Sequence, residues 1–114
     1  MPRKHRLLRG WPTLRLSLAL SLLAASASAQ SPAAQRGLTF VRTHCAQCHA
    51  IDKASESPLT IAPPFRTLHL KYPIQSLERP LGEGIITNNP TMPQFRLEPD
   101  QIGDVIAYLK TLER

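Results

Sequence analysis

The stretch Thr43-His44-Cys45-Ala46-Gln47-Cys48-His49-Ala50 holds both cysteines of a 114-residue chain, two residues apart, with a histidine directly after the second. A disulfide, a redox dithiol, half of a zinc site or a covalent haem each uses such a spacing. The choice among them rests on the rest of the chain.

Composition misleads until the N-terminus is set aside. The chain has 14 Lys+Arg against 8 Asp+Glu, a net charge of +6 that suggests a nucleic-acid or membrane-surface binder. Five of those cations, Arg3, Lys4, Arg6, Arg9 and Arg15, lie in the first fifteen residues, and no acidic residue precedes Asp52. The apolar run Leu16–Ala25 follows, then the small-residue stretch Ser26-Ala27-Ser28-Ala29. A basic start, a short apolar run and an A-x-A site read as a secretory signal peptide over residues 1–29, cleaved after Ala29. The apolar run is about half the roughly 20 residues that a membrane span needs. Gln30 rather than a cysteine would follow the cut, which argues against a lipoprotein anchor. Without residues 1–29 the chain carries 9 basic and 8 acidic residues, a net of +1. The excess charge belongs to the export signal, and no case for nucleic acid remains.

The mature chain, residues 30–114, is one small domain. Domains of this size build a marginal core and usually add disulfides, a metal or a cofactor. Trp11 departs with the signal, leaving three Phe and two Tyr. Residues 30–33 read as a flexible terminus and 34–114 as the folded unit. Ala33, Gly37, Phe40/Val41 and His44 recur at helical spacing and run directly into Cys45. At the other end, Pro99 suits a first helical position, with Asp100 in the first turn. Ile102, Val105, Ile106, Leu109 and Leu112 then form one apolar stripe. Between the two helices, residues 50–98 contain seven prolines and no alternating strand. A short helix is expected over Ile74–Arg79 after Pro73, and another beginning near Leu81 and Glu83. So long an irregular segment is expected to wrap something.

C-x-x-C-H is the attachment signature of c-type haem: the thiols add to the vinyl groups, and the adjacent imidazole reaches the iron. Cysteines at i and i+3 on a helical turn bring both sulfurs to one edge of the porphyrin. A thioredoxin-like dithiol wants a βαβ context, structural zinc wants two more ligands when only His44 and His69 are left over, and a disulfide has no use for His49. The motif, the export signal and the thin core together favour one covalent haem c on Cys45 and Cys48, with His49 as an iron ligand.

The chain resembles the class I c-type cytochromes over nearly all of residues 34–113. The resemblance is carried by GLTFVRTHCAQCH (Gly37–His49), APPF (Ala62–Phe65), TMPQF (Thr91–Phe95) and DQIGDVIAYLKTL (Asp100–Leu112). It implies an all-α cytochrome c fold, with three to five helices around the haem and the N- and C-terminal helices crossing. It also implies a His/Met axial pair, hence His49 and Met92. Met92 is the only methionine after signal removal, flanked by Pro90 and Pro93, which stiffen its loop. A thioether is a soft, neutral ligand that favours reduced iron. His69 is the rival sixth ligand. Pro63 resembles the proline whose carbonyl accepts a hydrogen bond from the proximal imidazole. Gly37 is expected at a close approach of the two terminal helices near Tyr108 and Leu109, with Phe40 beside it. Arg66, Tyr72 and Thr91 are candidates for bonding the haem propionates.

These readings converge on a periplasmic single-electron carrier rather than an enzyme. Its partners would be a redox donor and acceptor, such as a dehydrogenase, an oxidase or another cytochrome. It is expected to be a monomer with no stable membrane anchor and no nucleic-acid partner. The alternatives are a haem protein with an open or exchangeable sixth position, such as a small peroxidase or gas sensor, and a dedicated electron-transfer subunit of a periplasmic dehydrogenase.

Overall fold

The computed structural model describes residues 29–114. The expected signal peptide therefore lies outside the described residues, apart from Ala29.

Helix α1 spans Pro32–His44. Ser31 caps it by accepting the Ala34 N–H on its hydroxyl at 3.1 Å, and Pro32, with no N–H to leave unpaired, takes the first helical position. This corrects the reading of 30–33 as a flexible terminus: Pro32 and Ala33 belong to the helix because Ser31 closes its end. Helix α3 covers Pro99–Thr111 and begins with Gln101 Oε1 accepting the Glu98 N–H at 3.0 Å.

The two helices pack face to face. Contact is closest at Gly37, where an added Cβ would stand 2.0 Å from the Asp104 carbonyl oxygen and 2.9 Å from the Tyr108 Cβ. Only a residue without a side chain lets the backbones approach this far. Beside it, Arg36 grips Asp104 with two bonds of 2.8 Å, one from Nε and one from a terminal guanidinium nitrogen. The expected stripe on α3 faces inward: Val105, Ile106, Leu109 and Leu112 are buried, Ile102 is half-buried, and Tyr108 joins the buried set.

The middle of the chain is helical where prolines launch it, and it contains no strand among the described residues. Two 3-10 helices, Phe65–Leu70 and Ile74–Leu77, follow Pro64 and Pro73 at their N-caps. The second runs straight into α2, Glu78–Glu83. The expected break near Arg79 and fresh start near Leu81 are therefore corrected to one continuous helical stretch. Pro80 sits at the third position of α2, within the first turn, where proline is tolerated. Gly84, at φ 104°, ends α2 in a backbone conformation that residues with a side chain rarely adopt. Ile74, 1% exposed, and Leu81 anchor this stretch in the same core as Val41 and α3.

Candidate functional site

Helix α1 does not simply stop at His44. The Cys45 and Ala46 N–H groups both bond to the Val41 carbonyl, at 2.8 and 3.0 Å. The Cys48 and His49 N–H groups then bond to the Cys45 carbonyl, at 3.2 and 3.0 Å. One further turn is thereby fixed, with Cys45, Cys48 and His49 all half-buried on it. Both thiols are free. Burial pushes the Cys45 thiol up to about 11, the opposite of the lowered value that a thiol-disulfide catalyst uses. Among the described residues no group of three or more His, Cys, Asp and Glu side chains is placed to hold a metal ion, as structural zinc would require.

His49 is held from two sides. Its Nδ1 lies 2.8 Å from the Pro63 carbonyl oxygen. A carbonyl only accepts, so Nδ1 carries the proton and Nε2 keeps its lone pair for a metal. The Phe65 ring packs on the imidazole with centroids 4.9 Å apart and planes at 38°. Phe65 reaches that place because its N–H bonds to the Ala50 carbonyl at 2.9 Å, which draws the APPF segment alongside the motif. The intervening loop folds back as well, with the Ala50 N–H on Ser57 Oγ at 3.0 Å and the Leu59 N–H on the Cys48 carbonyl at 3.1 Å. From α3, the Tyr108 hydroxyl donates to the Ile51 carbonyl.

Met92 lies half-buried in the loop between α2 and α3. The turn presenting it is built on Asn89, whose side-chain oxygen accepts from the Thr91 N–H at 3.1 Å and the Thr91 hydroxyl at 2.7 Å. Its carbonyl accepts from the Met92 N–H at 3.2 Å and the Thr87 hydroxyl at 3.0 Å. Asn89 is not among the expected site residues, although Asn88-Asn89-Pro90 carries the chemistry of a turn.

The other candidates are dispersed. His69 lines a surface cavity of about 310 Å³ with Lys53, Arg66 and Arg114, and neither His49 nor Met92 lines it. Arg66 donates to the Ser55 carbonyl at 2.6 Å, and Thr91 is committed to Asn89. Tyr72 borders a second cavity, of about 560 Å³, with Arg79, Ile85 and Ile86. His44 is exposed at the end of α1.

The donor set fits a c-type haem: two free thiols one turn apart, and an imidazole whose Nδ1 is engaged and whose Nε2 is not. An all-α scaffold presenting this turn from its first helix defines a covalent haem protein. The chain belongs to the cytochrome c family, whose description, Cytochrome c, matches residues 34–113. It is a class I c-type cytochrome, an electron-transfer protein with covalent haem c, and the cysteines at 45 and 48 fit the attachment motif. It is 29% identical over 108 residues to the cytochrome c-552 of Bradyrhizobium diazoefficiens, covering 95% of this chain and 97% of that one. No solved structure matches it.

Proposed function

We propose that this cytochrome is a periplasmic single-electron carrier, joined to its haem through Cys45 and Cys48 and ligating the iron with His49 and Met92. The observation that carries this reading is the 2.8 Å bond from His49 Nδ1 to Pro63, which leaves Nε2 as the donor. Bound haem c supplies a one-electron couple. The protein's part is to hold, orient and tune. Pro63 and Phe65 set the plane of the His49 ring. The Asn89 turn and its flanking prolines present the Met92 thioether. The apolar residues around the motif and α3 keep water from the site. A haem iron held by both His49 and Met92 would have no open position for a substrate, which favours a carrier over a catalyst.

Export rests on the basic, apolar and A-x-A sequence of residues 1–29. No described helix is long and apolar enough to cross a membrane. A freely diffusing monomer exchanging electrons with a separate donor and acceptor is the form this reading favours.

The double variant Cys45→Ala/Cys48→Ala tests attachment. After export and maturation it should give no haem-staining band on a denaturing gel, whereas the unaltered protein should. Equal staining in both would rule out the assignment. N-terminal sequencing of the exported protein should begin at Gln30.

A further inference from the structure

The loop that carries Met92 is fastened to the body at its ends and by side chains in between. The Gly84 N–H bonds to the Pro80 carbonyl and the Leu97 N–H to the Leu81 carbonyl, each at 2.8 Å. Among the described residues, every hydrogen bond made by residues 85–96 stays within Thr87, Asn89, Thr91 and Met92. Grip on the rest of the protein therefore falls to packing, and Phe95, three residues beyond Met92, is part of it.

Phe95 also meets α1 directly. Its ring stands edge-on to His44, with centroids 6.0 Å apart and planes at 64°. His44 in turn leans on Phe40, one turn back along α1, at 4.5 Å and 42°. Both separations lie in the range where aromatic rings attract beyond simple area burial. Phe40 and Phe95 are half-buried against the core, whereas His44 is exposed. An imidazole suits that place: a flat ring for two neighbours and polar edges for water. The three rings run from the helix that delivers the cysteines to the loop that delivers the thioether.

We propose that His44 is a positioning residue for the sixth ligand, an aromatic strut that holds the Met92 loop against the end of α1 and slows its opening. The proposal rests on the reading of Met92 as an iron ligand. His44 touches neither Met92 nor His49 in this role; it acts through Phe95.

The test uses the oxidised holoprotein and cyanide, which can bind the iron only when the Met92 loop has opened. His44→Ala should raise the cyanide-binding rate about three- to tenfold, as loss of an aromatic pair implies. His44→Phe, which restores the ring without the imidazole, should bring the rate back to that of the unaltered protein. The urea midpoint for loss of helix should differ much less between the variants, because the α1–α3 contact is untouched. An unchanged rate in His44→Ala, or a rate in His44→Phe as high as in His44→Ala, overturns the proposal. If the unaltered protein lacks a methionine–iron absorption band, the ligation reading fails instead. Hydrogen exchange at the Leu97 amide, whose bond to the Leu81 carbonyl ties the loop to α2, then decides whether His44 holds the loop, and exchange no faster in His44→Ala sinks that too.

Discussion

A thioether is a weak donor to iron, so the proposed ligation by Met92 depends on how firmly its loop presents it. Met92→Ala should open the iron to cyanide, and Met92→His should keep a low-spin iron at a lower reduction potential, because imidazole favours oxidised iron more than a thioether does. Absorption spectra and redox titration check both. The assignment would pass to His69 if Met92→Ala left spectrum and potential unchanged while His69→Ala altered them. At a second residue the effect is on acid stability. Asp52 accepts the Ser55 hydroxyl and N–H, both at 2.6 Å, and the Ala54 N–H at 2.8 Å. These bonds hold its carboxyl down at about 2. Its unfolded-state value is about 3.9. A depressed folded value stabilises the fold above that pH, and the contribution is lost as pH falls from about 4 towards 2. Asp52→Asn should therefore flatten the fall in urea midpoint over that interval. An acid limb as steep as that of the unaltered holoprotein would remove Asp52 from the account.

Helices α1 and α3 offer a paired test at the level of elements. Gly37 and Gly103 both lie inside helices, but an added Cβ at Gly103 meets nothing within 4 Å, whereas at Gly37 it meets backbone. Gly103→Ala should stabilise the protein by about 0.4–1 kcal/mol, through lost freedom in the unfolded chain. Gly37→Ala should destabilise it by about 1–3 kcal/mol or more, since a carbonyl oxygen at 2.0 Å cannot turn aside as a side chain can. Urea denaturation of the two holoprotein variants reads both signs. Two changes of the same sign would mean that the helices do not approach as described. Because α1 also delivers Cys45 and α3 sends Tyr108 to Ile51, separating the helices should disturb the haem motif together with the core.

For the molecule as a whole, charge governs how it meets a partner. Residues 30–114 carry a net of only +1, which two haem propionates would bring to about −1. The cations Lys53, Arg66 and Arg114 gather around one cavity but share it with Glu113. Long-range steering raises association rates by about 10 to 10³-fold and depends on a strong, salt-sensitive field. Little net field would be available to the molecule once residues 1–29 are removed, as proposed. Electron transfer with its physiological donor should change only a few-fold between low and high ionic strength, as stopped-flow measurements would record. A fall of about tenfold or more would contradict this and point to a concentrated charged patch hidden by the net count.

The five residues Cys45 to His49, read together with the export-type start and the thin core, announced haem, because covalent attachment demands both residue type and spacing. Two sequence-local features, the apolar stripe of α3 and the proline at its start, marked the other terminal helix. Propensity and periodicity act over a few residues, and these features needed no more. Helix α1 takes in Pro32 and Ala33, two residues expected to be flexible, and the stretch from Ile74 to Glu83 continues as helix where a break near Arg79 was expected. Both errors arose at prolines, which terminate or initiate helices depending on which N–H groups the fold leaves unpaired. A bond from the His49 ring to the Pro63 carbonyl was expected from the resemblance alone; the residues do not show it by themselves, since it depends on a carbonyl fourteen residues away being brought to 2.8 Å. The close approach at Gly37 near Tyr108 was expected, but not its seating on the Asp104 carbonyl, nor the run of rings from Phe40 through His44 to Phe95. Each is a contact between segments distant in sequence, and its geometry exists only once the two terminal helices have packed and drawn the proline-rich middle around them.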